Sequence, residues 1–193
     1  MASEARRGQI LEAAAAAVLS QGYLPLALDK LARDAGVSKA LIYNHFPTQH
    51  DLLNAVLARE FQALTDNGAE AAADQPELMD AALALASLYF DHVSRRGAVI
   101  HIVLRDQYMA RKLDPALARQ RDAIVRRLAR TARRCLHIPA KENIAAINMV
   151  ITIPEEAGRL AYGGEIATDR GRELCAELVR SSIGALSHVA QPS

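Results

Sequence analysis

The sequence has no tryptophan, and its three phenylalanines and five tyrosines make up only 4% of 193 residues. β-branched residues are also thin, while alanine and leucine are abundant, so packed helices are favoured over strands. There are two cysteines, Cys135 and Cys175, with no C-x-x-C spacing. They read as reduced core thiols of a cytoplasmic protein, with a redox sensor as the alternative. No apolar run approaches the roughly 18 residues of a membrane span. Residues 1–7 lack the hydrophobic stretch of a secretory signal. G-x-S-x-G, a phosphate-binding loop, G-x-G-x-x-G and H-E-x-x-H are all absent. No His/Cys/Asp cluster has metal-ligand spacing, and His92, His137 and His188 stand alone. The expectation is a chain that is not an enzyme, with no metal and no cofactor.

A strong charge of one sign is missing too, since the formal net charge is +1. Residues 1–50 carry five Lys/Arg and four acids, whereas residues 91–141 carry thirteen Lys/Arg and four acids. A nucleic-acid module in the first segment would rest on a few placed cations and on dimerisation.

What is present is a strongly patterned stretch, LDKLARDAGVSKALIYNHFPTQHDLL, from Leu28 to Leu53. Leu28, Leu31 and Ala35 fall at helical spacing. Gly36 can take the left-handed turn that ends a helix, and Val37 plugs the corner. Ser38 is a good N-cap for a second helix over Lys39–His45, with Ile42 and Phe46 inward. Pro47 stops that helix, and Thr48 with Asp51 forms a capping-box-like start for a third. Two short helices joined by a glycine turn make the helix-turn-helix pattern, whose second helix lies in the major groove when it binds DNA. The non-core positions of that helix are Lys39, Ala40, Leu41, Tyr43, Asn44 and His45. Lys39 and His45 suit phosphates, Asn44 a base edge and Leu41 a thymine methyl. A helical hairpin that packs on a neighbour and binds nothing has the same spacing.

The rest of the chain reads as helix throughout. A first helix runs to about Gln21, with Arg6 and Arg7 at the end its dipole disfavours. A helix from Thr48 to about Asn67 leads out of the patterned stretch, and residues 68–75 read as a loop. Further helices are expected over 76–95, 98–109, 115–136, 141–162 and 168–190, with Pro154 kinking or splitting the fourth of these. The count is about nine helices and no strand: an all-α chain with a three-helix helix-turn-helix module followed by a larger helical bundle. The domain expectation is 1–48 for DNA binding and 49–193 for ligand binding and dimerisation, with 49–67 as the connecting helix.

At this point the chain resembles a family. Ile10-Leu11-x-Ala13-Ala14, Gly22-Tyr23, Leu31-Ala32, the run Ala35 to Ala40, the run Ile42 to Pro47 and Leu52-Leu53 occur in order without a gap. They resemble the N-terminal signature of the TetR family of bacterial transcriptional regulators. The resemblance covers roughly the first 55 residues. It implies a homodimer paired through its last two helices, a double-stranded operator as partner, and a small-molecule effector that shifts the fourth helix and spreads the two DNA modules. Most such proteins are repressors released by ligand. Ser38 and Thr48 would present helix N-termini to phosphates, and Lys39, Tyr43 and His45 would hold them.

Three departures stand out. Leu26 and Ala27 replace the Thr or Ser usual at the start of the helix before the turn. Thr48-Gln49-His50 replaces Ser-Lys-Glu, so Gln49 puts a neutral amide where a phosphate-binding lysine is usual. Asn44 replaces a frequent aromatic. The first two predict a weaker phosphate grip, and the third bears on which sequence is read.

In the bundle, an apolar cavity with a few convergent polar groups would be the ligand site. The candidates are Tyr89, Phe90 and Val93 from helix 76–95; His101, Leu104, Arg105 and Tyr108 from helix 98–109; Leu128; and Met149, Ile153 and Glu156 from the proline helix. His101 and Tyr108, two turns apart, would share a face. Core packing is the competing reading for each. Arg119, Arg126, Arg130 and Arg133 form a stripe that is either a solvated face or a site for an anion. The functional expectation is a cytoplasmic, ligand-responsive DNA-binding repressor. A helical carrier or sensor of apolar molecules without DNA binding is the alternative.

Overall fold

The described residues, 2–136 and 139–189 of a computed structural model, form ten α-helices and one 3-10 turn, with no strand among them. The helices are α1 Ala2–Gln21, α2 Leu28–Asp34, α3 Lys39–His45, α4 Gln49–Asp66, α5 Ala69–Ala73, α6 Leu78–Arg96, α7 Val99–Arg105, α8 Pro115–Cys135, α9 Ala140–Tyr162 and α10 Thr168–Val189. The all-helical expectation holds, with one helix more than the nine counted. The addition is α5, whose five residues AEAAA are too short to show a periodic face. Three expected features fall partly outside the described residues: Met1 of the arm, His137 and Ile138 of the break before α9, and Ala190 at the end of the last helix.

Two compact units form. The first comprises Met1–Gln62 and Ala98–Ala118. Its core is aliphatic: Ile10, Ala14, Val18, Leu31, Ile42, Leu52, Leu53, Val56 and Leu57 are all essentially buried. α1 packs on α2 and α7, and α2 packs on α3. One carboxylate is buried with them. Glu60 receives Arg59 at 2.9 Å, and the same guanidinium reaches Glu12 on α1 at 2.8 Å. A charge taken out of water in this way requires such a partner.

The second unit comprises Ala63–Gly97 and Arg119–Ser193. α6 packs against α5, α9 and α10, and α9 against α10. The core includes Ala81, Phe90, Ala132, Ile147, Cys175 and Val179. Gly158 lets α9 approach α6 closely: a Cβ there would stand 2.7 Å from Val93 Cβ. Burial in this core pushes the Cys175 thiol up to about 11.

Pro154 does not divide its helix. α9 runs unbroken from Ala140 to Tyr162 with Pro154 inside and buried. The proline removes one backbone hydrogen bond, and packing against α6 and α10 carries the helix through it. The expected helix over 98–109, by contrast, is broken. α7 ends at Arg105, Asp106 is extended, and a 3-10 turn occupies Gln107–Met109. Asp106 causes the break, because its Oδ1 accepts from the Tyr108 N–H at 2.8 Å and caps the new turn. Among the described residues no helix is long and apolar enough to cross a membrane.

Candidate nucleic-acid interface

The turn between α2 and α3 is built as the sequence demands. Gly36 adopts φ +62, where a side chain would be strained. The Val37 N–H returns to the Ala32 carbonyl at 3.0 Å, closing the end of α2. Ser38 is extended, and its Oγ accepts from the Leu41 N–H at 3.1 Å, which caps α3. Ile42 and Phe46 are buried, so the helix is clamped by one side only. The opposite side carries Lys39, Ala40, Tyr43 and Asn44, all exposed, with Leu41 and His45 half-buried at its margins. Every α3 position singled out in the sequence is therefore reachable by solvent.

Cations sit around this face without being consumed by the fold. Lys39 Nζ lies 3.1 Å from Asp29 Oδ1, but both side chains are well exposed. A pair of that kind is held weakly, by about 0–1 kcal/mol, and can be exchanged for a phosphate. Arg7 from α1 lies over the Phe46 ring, 5.4 Å from its centroid.

The start of α4 is a complete capping box. The Asp51 N–H donates to Thr48 Oγ1 at 3.1 Å, and the Thr48 N–H donates to Asp51 Oδ2 at 2.9 Å. The start of α2 has no side-chain cap at Ala27. A different residue secures the chain there. Gln49 Oε1 accepts from the Leu26 N–H at 2.7 Å, and Gln49 Nε2 donates to the Leu26 carbonyl at 3.0 Å. Both ends of the Gln49 amide are thus turned inward on the backbone.

Sequence reasoning passed over a second set of bonds in this unit. The Leu24 N–H donates to Asp106 Oδ2 at 2.8 Å. The His50 ring stacks on Tyr108 at 4.4 Å between centroids, and His50 Nε2 lies 3.2 Å from the Tyr108 carbonyl. Asn54 donates to the Lys112 carbonyl at 2.9 Å and accepts from the Asp114 N–H at 2.9 Å. These contacts hold segment 98–118 to the helix-turn-helix elements. They join residues more than fifty positions apart, so no local motif announces them.

The ligand candidates fall in both units. In the first, His101, Leu104 and Tyr108 are half-buried and Arg105 is exposed. His101 and Tyr108 do not lie on one continuous helix, since Asp106 interrupts it. The two residues therefore lack the shared helical face expected of them. In the second, Phe90, Val93 and Leu128 belong to the core. Arg172 covers the Phe90 ring at 5.2 Å. Tyr89 is half-buried, its hydroxyl donating to Glu155 Oε2 at 3.0 Å. Ile153 is half-buried, Met149 is 66% exposed, and Glu156 is exposed and paired with Arg159 at 2.7 Å.

Residues 10–56, which include the whole turn and both capped helix starts, match the family model described as bacterial regulatory proteins, tetR family. Over this segment the chain is similar to the TetR family. The chain is 29% identical over 115 residues to the HTH-type transcriptional activator FasR of Mycolicibacterium smegmatis, a stretch that covers 60% of this chain. That alignment spans 51% of FasR, so the chain matches about half the length of this curated relative.

Solved structures are similar to this chain over nearly its whole length. A TetR-like transcriptional regulator from Rhodococcus sp. RHA1 superposes with a TM-score of 0.67 at 20% identity, covering 93% of this chain and 96% of that one. The FadR transcriptional regulator of Bacillus subtilis, solved in complex with stearoyl-CoA, superposes at 0.59 with 17% identity, covering 93% and 96%. At these identities the likeness is one of fold.

Proposed function

We propose that this chain is a TetR-family, ligand-responsive transcriptional regulator that binds operator DNA as a homodimer and is released from it by a small molecule. Residues 1–48 form the DNA-binding domain and 49–193 the ligand-binding and dimerisation domain, with 49–67 as the connecting helix. Tyr43, Lys39 and His45 hold phosphates, and the capped N-termini at Ser38 and Thr48 point backbone N–H groups at them. Asn44 and Leu41 read base edges, with Ala40 leaving room for close approach. Gln49 positions the module instead of touching DNA.

The observation that carries this reading is the one-sided burial of α3. Ile42 and Phe46 anchor it, while Lys39, Ala40, Tyr43 and Asn44 are left exposed together. A cation, a phenol and an amide stand together on that bare face, a set that suits phosphate and base-edge contacts. The dimer reading rests on α9 and α10, which expose Ile144, Met149, Tyr162, Leu174 and Leu178 in the second unit. Large apolar side chains exposed along two helices suit a partner helix pair. An apolar effector is consistent with the half-buried Tyr89 and Ile153 beside the Phe90 core, and with a fold neighbour solved with stearoyl-CoA. Whether the operator overlaps or flanks the promoter sets the sign of regulation, and a reporter strain measures it.

Retention of a random double-stranded DNA pool on the full chain at increasing salt tests the proposal. Retention that falls steeply with salt supports it. A chain that enriches no DNA at low salt, yet is stabilised by apolar metabolites, is a carrier, and the proposal is then wrong.

A further inference from the structure

α8 carries seven arginines, Arg119, Arg121, Arg126, Arg127, Arg130, Arg133 and Arg134, against the single acid Asp122. Like charges at this spacing destabilise a helix. The dipole accounts for Arg133 and Arg134 in the last turn, but it offers nothing to Arg127 and Arg130 farther back. Asp122 occupies Arg121 at 2.8 Å and lies 3.9 Å from Arg126. Arg127 is fixed by Glu70 at 3.0 Å and by Asp74. Among the described residues Arg130 and Arg133 have no carboxylate partner, and Arg134 donates only to Thr131 Oγ1 at 3.2 Å.

These side chains meet in one place. A cleft of about 660 Å³ is lined by Asp74, Arg127, Arg130, Thr131, Arg133 and Arg134. Its Thr131 is 3% exposed. That hydroxyl accepts from Arg134 and keeps its own hydrogen to donate, which is the polarity an anion needs. We propose that this cleft binds a small molecule bearing a diphosphate. Asp74 and Glu70 together outweigh Arg127 by one charge, so with Arg130, Arg133 and Arg134 the cluster carries a surplus of two. It is the donors that argue for two phosphates: the three guanidiniums left over are three forks of two N–H each, against the three free oxygens of one phosphate. The guanidinium forks match phosphate oxygens in geometry as well as in sign. The volume falls within the roughly 300–1,000 Å³ of small-ligand sites, enough for a nucleotide-sized molecule. The site lies wholly in the second unit and does not depend on the operator reading.

Calorimetric titration of the full chain with inorganic pyrophosphate and with ADP, at fixed ionic strength and without divalent metal, tests the site. Saturable binding of both is expected, with sulfate at least about tenfold weaker. In Arg130→Gln/Arg133→Gln the Kd should rise at least about tenfold, the scale of losing charge-assisted hydrogen bonds. Arg119→Gln/Arg126→Gln removes the same charge from the same helix outside the cleft and should bind like the parent. Thr131→Val keeps the charge and should still weaken binding, with circular dichroism checking each variant's fold. The proposal is overturned if sulfate binds as well as pyrophosphate, if the outside pair loses as much as the cleft pair, or if random duplex DNA displaces pyrophosphate through Arg130 and Arg133.

Discussion

The side-chain amide of Gln49 closes both polar groups of Leu26, accepting from its N–H at 2.7 Å and donating to its carbonyl at 3.0 Å. This pair joins the first residue of α4 to the strand of chain entering α2, where Ala27 supplies no cap. A neutral amide at position 49 therefore does what a capping hydroxyl does elsewhere: it satisfies backbone at the entrance to the helix-turn-helix. Gln49→Ala should lower stability by about 1–3 kcal/mol, the range for two lost hydrogen bonds in a half-buried setting, read from urea unfolding. Gln49→Lys should also destabilise, but the added cation should steepen log K against log salt by about 1 on DNA. An unchanged slope would mean that position 49 faces away from the phosphates.

Tyr43 and Asn44 are neighbours on the exposed side of α3 with different assignments. Tyr43→Ala should weaken binding by a similar factor on all operators tested, because it removes the proposed phosphate contact. Asn44→Ala should change the preferred base at one position in each half-site, worth about 1–3 kcal/mol of discrimination there. Fluorescence anisotropy on a panel of single-base operator variants separates the two. Identical profiles for both variants would remove the distinction.

Much of this was legible in the sequence, and the reasons are local. Gly36, Ser38 and the Thr48–Asp51 pair are short-range devices whose residue types name their geometry, so both capped starts and the turn are found where the sequence put them. The exposed positions of α3 follow from the spacing of Ile42 and Phe46. The break at Asp106 was hidden, because an aspartate after an apolar run gives no sign of which backbone N–H it will accept. The Gln49–Leu26, Asp106–Leu24 and Asn54–Asp114 bonds were also hidden, since each depends on where a distant segment lands. The arginine stripe was read through Arg119 and Arg126, yet the cleft gathers Arg127 and Arg134 with Arg130 and Arg133 instead. Spacing along a helix ranks neighbours but does not say which of them meets Asp74.

At Gly158, α9 lies close against α6. A Cβ there would meet Val93 Cβ at 2.7 Å and the Phe90 carbonyl at 3.1 Å. Gly158→Ala should cost about 1–3 kcal/mol by forcing the two helices apart, despite the gain in helix propensity. Thermal unfolding measures it. A stabilised variant would show that α9 can shift without loss.

The two cysteines should differ in reactivity. Cys135 is exposed and Cys175 is buried. A thiol reagent at pH 8 should label Cys135 at once and Cys175 only on unfolding. The folded value of Cys175, about 11, lies above the ordinary 9.0 because burial disfavours the thiolate. The stability tied to the protonated thiol is thus complete below pH 9.0 and is lost as the pH rises through about 11. Cys175→Ala should flatten the fall in melting temperature across that window. An identical fall in the variant would assign it to other groups.

Selection of bound sites from random double-stranded DNA by the full chain addresses the central claim most directly. The account predicts an enriched motif of two related half-sites, as a symmetric dimer requires. It also predicts that the same selection with Asn44→Ala yields a motif altered at one symmetric pair of positions. Recovery of the starting pool without a motif, or an unchanged motif from Asn44→Ala together with Tyr43→Ala, would contradict it.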